Sequence, residues 1–396
     1  MQLTRFRKLA KDESGFSLVF VGLGCMAFVA ASMLAIDVGM VMTARSQAQN
    51  AADAGALAGA TALAFDSWDD RTATGPAVTN AIAAAQANKV IGGTVAVAFQ
   101  DIEFLNDAAG EPNRVRVRVW RDSAHGNAVS TMIAKYFGID TAGVNAVATA
   151  EASPANAMTC VKPFTIPDRW IEKNPKDVPW TVDADFSRYD KKGNLLSPAD
   201  VYEPQYLPGT NQPNPAYSGY NSEESRGEKL VLRASNGTKI QPSFYFSLAM
   251  TDDTGGNDYE WNIANCNHTE YSVPDPLVQE PGSKEGPTVQ GIEALIAKDP
   301  KAVWNESTDT IDNSAYGERQ SPRVFPIPLY NPDYYDYGKQ TGRVASLQTA
   351  NWIGFFVEYI GSGSEIHGRI IPIGGIRKKT VTGGTEYMPK AIRLVQ

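Results

Sequence analysis

The sequence predicts an α+β protein: an N-terminal transmembrane helix extended into an Ala-rich helix, a small antiparallel α+β domain, and a β-rich C-terminal domain. Three observations carry this prediction. Residues 16–36 form a run of 21 positions without a charge, and residues 36–63 are mostly Ala and good helix formers with no proline. Beyond residue 153, Ala becomes scarce while Pro, Gly, Asn, Tyr and Trp rise, and the apolar runs shorten to strand length.

A chain of 396 residues has room for two or three domains with sizeable cores. The expected division is a basic leader over 1–15, a span over 16–36, a long helix with a small domain over 37–153, and the β-rich part over 154–396. Thirty-six basic residues against 44 acidic ones leave a net charge of -8, which argues against nucleic acid as a partner. The densest internal basic group is Arg114, Arg116, Arg118 and Arg121. These alternate with valines, so they read as the wet face of a half-buried strand.

At 1.5 Å per residue the run over 16–36 covers roughly 30 Å, one hydrocarbon core. Four basic residues (Arg5, Arg7, Lys8, Lys11) precede it, whereas only Arg45 follows within the next thirty positions. The basic flank marks the cytoplasmic side, which places the bulk of the chain in the periplasm behind a single inner-membrane span. A rival reading is a secretory signal cleaved after Ser32; the apolar run continues through Ile36, longer than such a signal needs, so an uncleaved anchor is preferred.

Within the continuing helix, Ala48, Ala52, Gly55, Gly59 and Ala62 recur at three- and four-residue steps, leaving one face nearly bare. Such a face admits a second helix at close range, so it is expected to dock a partner and to support homo- or hetero-oligomers. Beside it, Arg45, Gln49 and Asp53 lie four apart. With Asp37 at the outer border of the span they form an expected polar ladder, in which Asp37 either ends the span or pairs with a partner helix.

Glu13 and Gly15 before the apolar run, IDVG at 36–39, Arg45, Gln49 and NAADAGALAGATAL at 50–63 resemble the N-terminal region of TadG-like (TadE/TadG-type) proteins of Tad/Flp pilus assembly. The resemblance covers about the first 65 residues. It implies a membrane-anchored structural or accessory, minor pilin-like component, with other Tad/Flp pilus-assembly proteins as partners. Gly15 and Phe16 occupy the place of a prepilin processing site, but Phe20 stands where prepilins carry Glu. The DxSxS metal motif that some TadG-like proteins carry does not occur.

Residues 76–89 read as a helix opened by Pro76. TVAVAF (94–99) and NRVRVRVW (113–120) alternate at period two and read as a hairpin; 126–137 reads as a helix ending at Gly138, and 143–152 as a strand. A long helix on a small antiparallel sheet is a pilin-like plan. In the C-terminal part, strands are expected at 229–234, 243–250, 323–330, 352–360 and 367–373, the last two joined as a hairpin through GSGSEI, with one helix over 286–300.

Cys160 and Cys266 are the only cysteines of the exported part and are expected to pair, while Cys25 sits within the span. His125, His268 and His367 are unclustered, and DDTGGNDYE (252–260) lacks EF-hand spacing. No GxSxG, HExxH or P-loop appears. The expectation is therefore a protein that is not an enzyme, without cofactor or metal. The alternative is an anchored exported hydrolase or carbohydrate-binding protein, the aromatic cluster DYYDYG (333–338) supplying either core or contact surface.

Overall fold

In the computed structural model, residues 14–107, 110–176, 178–235, 239–250, 255–342, 346–378 and 384–395 are described. The basic leader through Glu13 and the carboxylates Asp252 and Asp253 lie outside them, and the side chains of Gly15 and Phe16 are likewise not described. The chain divides at Glu151 and Ala152 into two units, with the chain from Arg393 onward belonging to the first rather than to the C-terminal part.

The first unit is organised by α1, Ser14–Phe65, a single 52-residue helix. Before Ala44, Leu18, Phe28, Leu34 and Met42 are among the exposed apolar side chains, while Met40 and Val41 are half-buried. From Ala44 on, buried positions recur at three- and four-residue steps, widening to adjacent pairs at 51/52, 55/56 and 59/60, as expected once a helix meets a partner on one side. That partner is α2, Pro76–Ala87, whose own buried face is Ala77, Val78, Ala81 and Ala85. The small residues on both faces let the backbones approach closely. A Cβ added at Gly55 would lie 3.0 Å from the Ala81 carbonyl oxygen, and one at Gly59 would lie 2.9 Å from Val115 Cγ1.

An antiparallel sheet covers the same helix. Strands β1 (Ile102–Leu105), β2 (Arg114–Arg121) and β3 (Val144–Pro154) are consecutive neighbours, and the C-terminal strand Lys390–Val395 is paired on the far side of β3. Val115, Val117 and Val119 are buried while the intervening arginines stay partly in water, as the alternation requires. Glu151 ties the sheet together: it accepts from Arg114 Nε at 2.9 Å and from Arg393 Nη2 at 3.0 Å. Burial pushes its carboxyl up, and the two guanidiniums more than offset this, so it stays below the usual carboxylate range.

Two expected elements differ here. The partner of β2 is not the continuous strand 94–99: Ala96 makes one bridge to Trp120, a 3-10 turn intervenes at Phe99–Asp101, and pairing resumes at Ile102. Asp101 sets that break, its carboxylate accepting from the Ala98 N–H at 3.0 Å and from Trp120 Nε1 at 2.8 Å. The helix expected over 126–137 is reduced to one 3-10 turn, Ala134–Phe137, closed by Gly138 at φ 82°. Ahead of it, Val129–Ser130 pairs with Thr141–Ala142.

In the second unit, β4 (Phe164–Pro167), β5 (Lys229–Ala234), β6 (Phe244–Ser247), α3 (Gly256–Ala264), β7 (Pro276–Leu277), α4 (Glu285–Lys298), β8 (Val324–Tyr330), α5 (Pro332–Gln340), β9 (Leu347–Ile360) and β10 (Ile366–Ile371) follow in order. The strand order β9-β8-β4-β6-β5-β10 closes on itself through a β9 to β10 pairing, and β7 adds to β9. A closed ring leaves no long open edge among these six strands. The expected hairpin through GSGSEI is β9 with β10.

Both faces of β8 and of the middle of β9 are buried, whereas β5 buries one face. Phe325, Ile327, Leu329, Ile353 and Phe355 pack with Tyr259 and Ile263 of α3 and with Ile292 and Leu295 of α4. Trp352, Phe356 and Ile371 join a second cluster with Trp170, Phe186 and Tyr335. Helices α3 and α5 are additional to the one helix expected in this part, over 286–300. The DYYDYG cluster lies in α5, whose N-cap Asn331 accepts the Tyr334 N–H at 3.0 Å. Tyr335 packs its ring 5.2 Å from that of Phe246, so this cluster is partly core. The residues 256–260 of the acidic stretch are helical.

Candidate functional site

The most informative constellation lies in the first unit, where α1 leaves its exposed apolar half. Asp37, only 5% exposed, turns its carboxylate onto the start of the 3-10 turn. Oδ1 accepts the Met132 N–H at 2.7 Å, and Oδ2 accepts those of Ile133 at 3.0 Å and Ala134 at 2.5 Å. Three consecutive N–H groups that the turn itself cannot satisfy thus have one acceptor, the logic of a capping carboxylate. Asp37 therefore belongs to no ladder along the helix. It binds a segment nearly a hundred residues away, a partner that no local spacing could reveal.

Of the remaining ladder members, Gln49 and Asp53 are joined along the helix as expected and Arg45 is not. Gln49 donates to Asp53 Oδ1 at 2.8 Å and to the Val147 carbonyl at 3.2 Å, whereas Arg45 is exposed and makes no bond with either. Gln49 and Asp53 line a cavity of about 590 Å³ together with Arg116, Arg118, Thr149 and Leu394. Arg116 reaches Glu103 at 3.3 Å, and the Arg118 guanidinium lies over the Trp120 ring at 5.7 Å.

The expected docking face is a correction in its target. Ala48, Ala52, Gly55, Gly59 and Ala62 are buried within the unit against α2 and β2, so this face is filled by the chain itself and offers no landing place to another protein. The part of α1 that stays open is the apolar half, where a Cβ at Gly22 or Gly24 would meet nothing within 4 Å.

In the second unit, Cys160 and Cys266 form a disulfide with Cα atoms 4.3 Å apart. His268 Nδ1 is 3.6 Å from the Cys266 sulfur, and no group of three His, Cys, Asp or Glu residues placed to hold a metal occurs among the described residues. Two buried charges were not singled out from the sequence. Asp168 accepts from Tyr217 at 2.6 Å, Tyr202 at 3.0 Å and the Tyr220 N–H at 2.9 Å; burial outweighs these bonds and raises its carboxyl to about 6. Lys162 donates to the Asn265 carbonyl at 2.7 Å, and burial, with Lys298 nearby, lowers it to about 7. Asp168 is completely covered and bonded to tyrosines and backbone, which suits holding loops together.

No curated protein and no solved structure matches the chain. One family model does, over residues 15–62, with the description "Putative Flp pilus-assembly TadE/G-like". The match begins at the start of α1 and ends within its last turn, so it takes in both the exposed apolar half and the buried small-residue half. The similarity to that family model is confined to residues 15–62, and so to this helix.

Proposed function

We propose that the chain is a membrane-anchored, non-enzymatic accessory component of Flp pilus assembly, minor pilin-like in plan, with its bulk in the periplasm. One observation carries this reading: the TadE/G-like match coincides with a helix that is bare and apolar in its first half and forms the core of a small α+β unit in its second. The first half has the length and composition to cross a bilayer. The basic leader supports a cytoplasmic N-terminus. With the small-residue face filled from within, contacts to other pilus-assembly proteins fall to the open half of α1 and to the outer surfaces.

The test is deletion of the gene with complementation by the full chain, scored by surface Flp pili and by pilus-assembly proteins recovered with the membrane-extracted protein. Loss of pili on deletion, restoration by the chain and recovery of those partners are expected. Normal piliation without it, together with no such partner in the extract, would overturn the proposal. Terminal peptide sequencing of the same preparation distinguishes an anchor beginning at Met1 from processing before Phe16 or release at Met33.

A further inference from the structure

Four exposed large apolar side chains crowd into the eight residues 132–139. Met132 is 57% exposed, Tyr136 79%, Phe137 72% and Ile139 57%, and Lys135 among them is exposed too. Isolated exposed hydrophobics are ordinary, but a contiguous group on one short segment marks a surface that something covers. The segment is held in shape. Thr131 donates its N–H to the Asp140 carbonyl at 3.0 Å and its hydroxyl to the Ile139 carbonyl at 2.5 Å, closing the loop at its base. Lys135 Nζ lies 5.4 Å from the Tyr136 ring centroid.

Its position identifies the occupant. The N–H groups of residues 132–134 are bonded to Asp37, the first residue after the uncharged run of 16–36. If that run crosses the hydrocarbon core, Asp37 emerges into the headgroup layer, a band roughly 5 to 8 Å thick on each side of the bilayer. Anything bonded directly to Asp37 begins in the same band. Tyr and Lys with large apolar neighbours are the side chains that favour this boundary, rings among the upper acyl chains and the ammonium toward phosphate.

We propose that residues 132–139 are a second membrane contact, an interfacial seat that lies in the headgroup layer of the bilayer crossed by α1, with Met132, Tyr136, Phe137 and Ile139 inserted and Asp37 fixing the depth. This rests on the reading of residues 16–36 as a span. The seat restrains rotation and tilt of the small unit relative to the membrane plane, which a single helix crossing leaves free.

The test uses the full chain with Cys25→Ser and the disulfide intact. Single cysteines placed by Phe28→Cys, Tyr136→Cys, Phe137→Cys or Ala73→Cys carry an environment-sensitive fluorophore, and the proteins are reconstituted into phosphatidylcholine and phosphatidylglycerol vesicles. Lipids brominated near the headgroup or near the acyl terminus serve as depth quenchers. Labels at 136 and 137 are expected to be blue-shifted and quenched more by shallow than by deep bromines, the label at 28 more by deep ones, and the label at 73 by neither. Deep quenching at 28 with none at 136 and 137 would overturn the seat and leave the anchor standing. No quenching at 28 would remove the anchor and the seat with it. Labels at 136 and 137 shielded from both bromines and aqueous iodide would overturn the seat in favour of a protein cover.

Discussion

Asp37 Oδ2 accepts the backbone N–H of Ala134 at 2.5 Å, joining the exit of the apolar run to a turn 97 residues further along the chain. The same carboxylate holds the N–H groups of Met132 and Ile133, so one side chain satisfies three donors that have no helical partner. Asp37→Ala is expected to release them. Hydrogen exchange at 132–134 should accelerate toward that of an open loop, while the amides of Val115 and Val117 in β2 keep their protection. Unchanged exchange at 132–134 would mean that the closing bonds of Thr131 suffice to hold the turn.

Gly59 has no room for a side chain. Its added Cβ would come within 2.9 Å of Val115 Cγ1 and 3.2 Å of the Ala77 carbonyl, with backbone on one side and a β-branched residue on the other. Gly59→Ala is expected to cost about 1 to 3 kcal/mol of stability through overpacking, and Gly59→Leu to prevent the first unit from folding. Membrane recovery of both variants should persist, because residues 16–36 are untouched. Thermal unfolding of the detergent-solubilised chain measures the first effect. A fully stable Gly59→Leu variant would show that α1 does not pack on α2 and β2 as described.

The disulfide closes a loop of 106 residues between Cys160 and Cys266. Replacing both cysteines by Ser is expected to lower the stability of the second unit by about 2 to 5 kcal/mol, chiefly by freeing the unfolded chain. Denaturant unfolding of the double variant against the parent, with peptide mapping under non-reducing conditions, checks both the bond and its contribution. A difference below a few tenths of a kcal/mol would mean that the unfolded chain is already restrained elsewhere.

Asp168 carries a pH dependence of defined sign. Its ordinary value is 3.8 and burial raises it to about 6, so between those values the folded chain holds a proton that the unfolded chain has released. Stability therefore falls as the pH climbs through that window and is level, for this group, above it. Asp168→Asn should abolish this part of the slope. Urea unfolding of parent and variant across the window measures it, and parallel curves would show that the tyrosine hydroxyls and backbone N–H groups keep the carboxylate charged after all.

What the sequence by itself determined is local and periodic. The uncharged run over 16–36, the bare face of Ala48, Ala52, Gly55, Gly59 and Ala62, the Arg and Val alternation of β2 and the hairpin of β9 with β10 all follow from side chains repeating at the period of one element. The cysteine pair was legible for a different reason, there being only two beyond the apolar run. The tertiary structure decided what each face meets. A smooth helical face reads the same whether its partner is another protein or the chain's own α2, and only the fold shows that α2 and β2 fill it. The helix expected over 126–137 gave way to a single turn beside a strand pair, its leading N–H groups capped by Asp37. The closure of six strands into a ring rests on pairings between strands far apart in the chain, β4 with β8 and β5 with β10, added to the local hairpin of β9 with β10. Periodicity is a property of neighbours along the chain, whereas partners distant in sequence are chosen by packing, so the faces could be read in advance and their occupants could not.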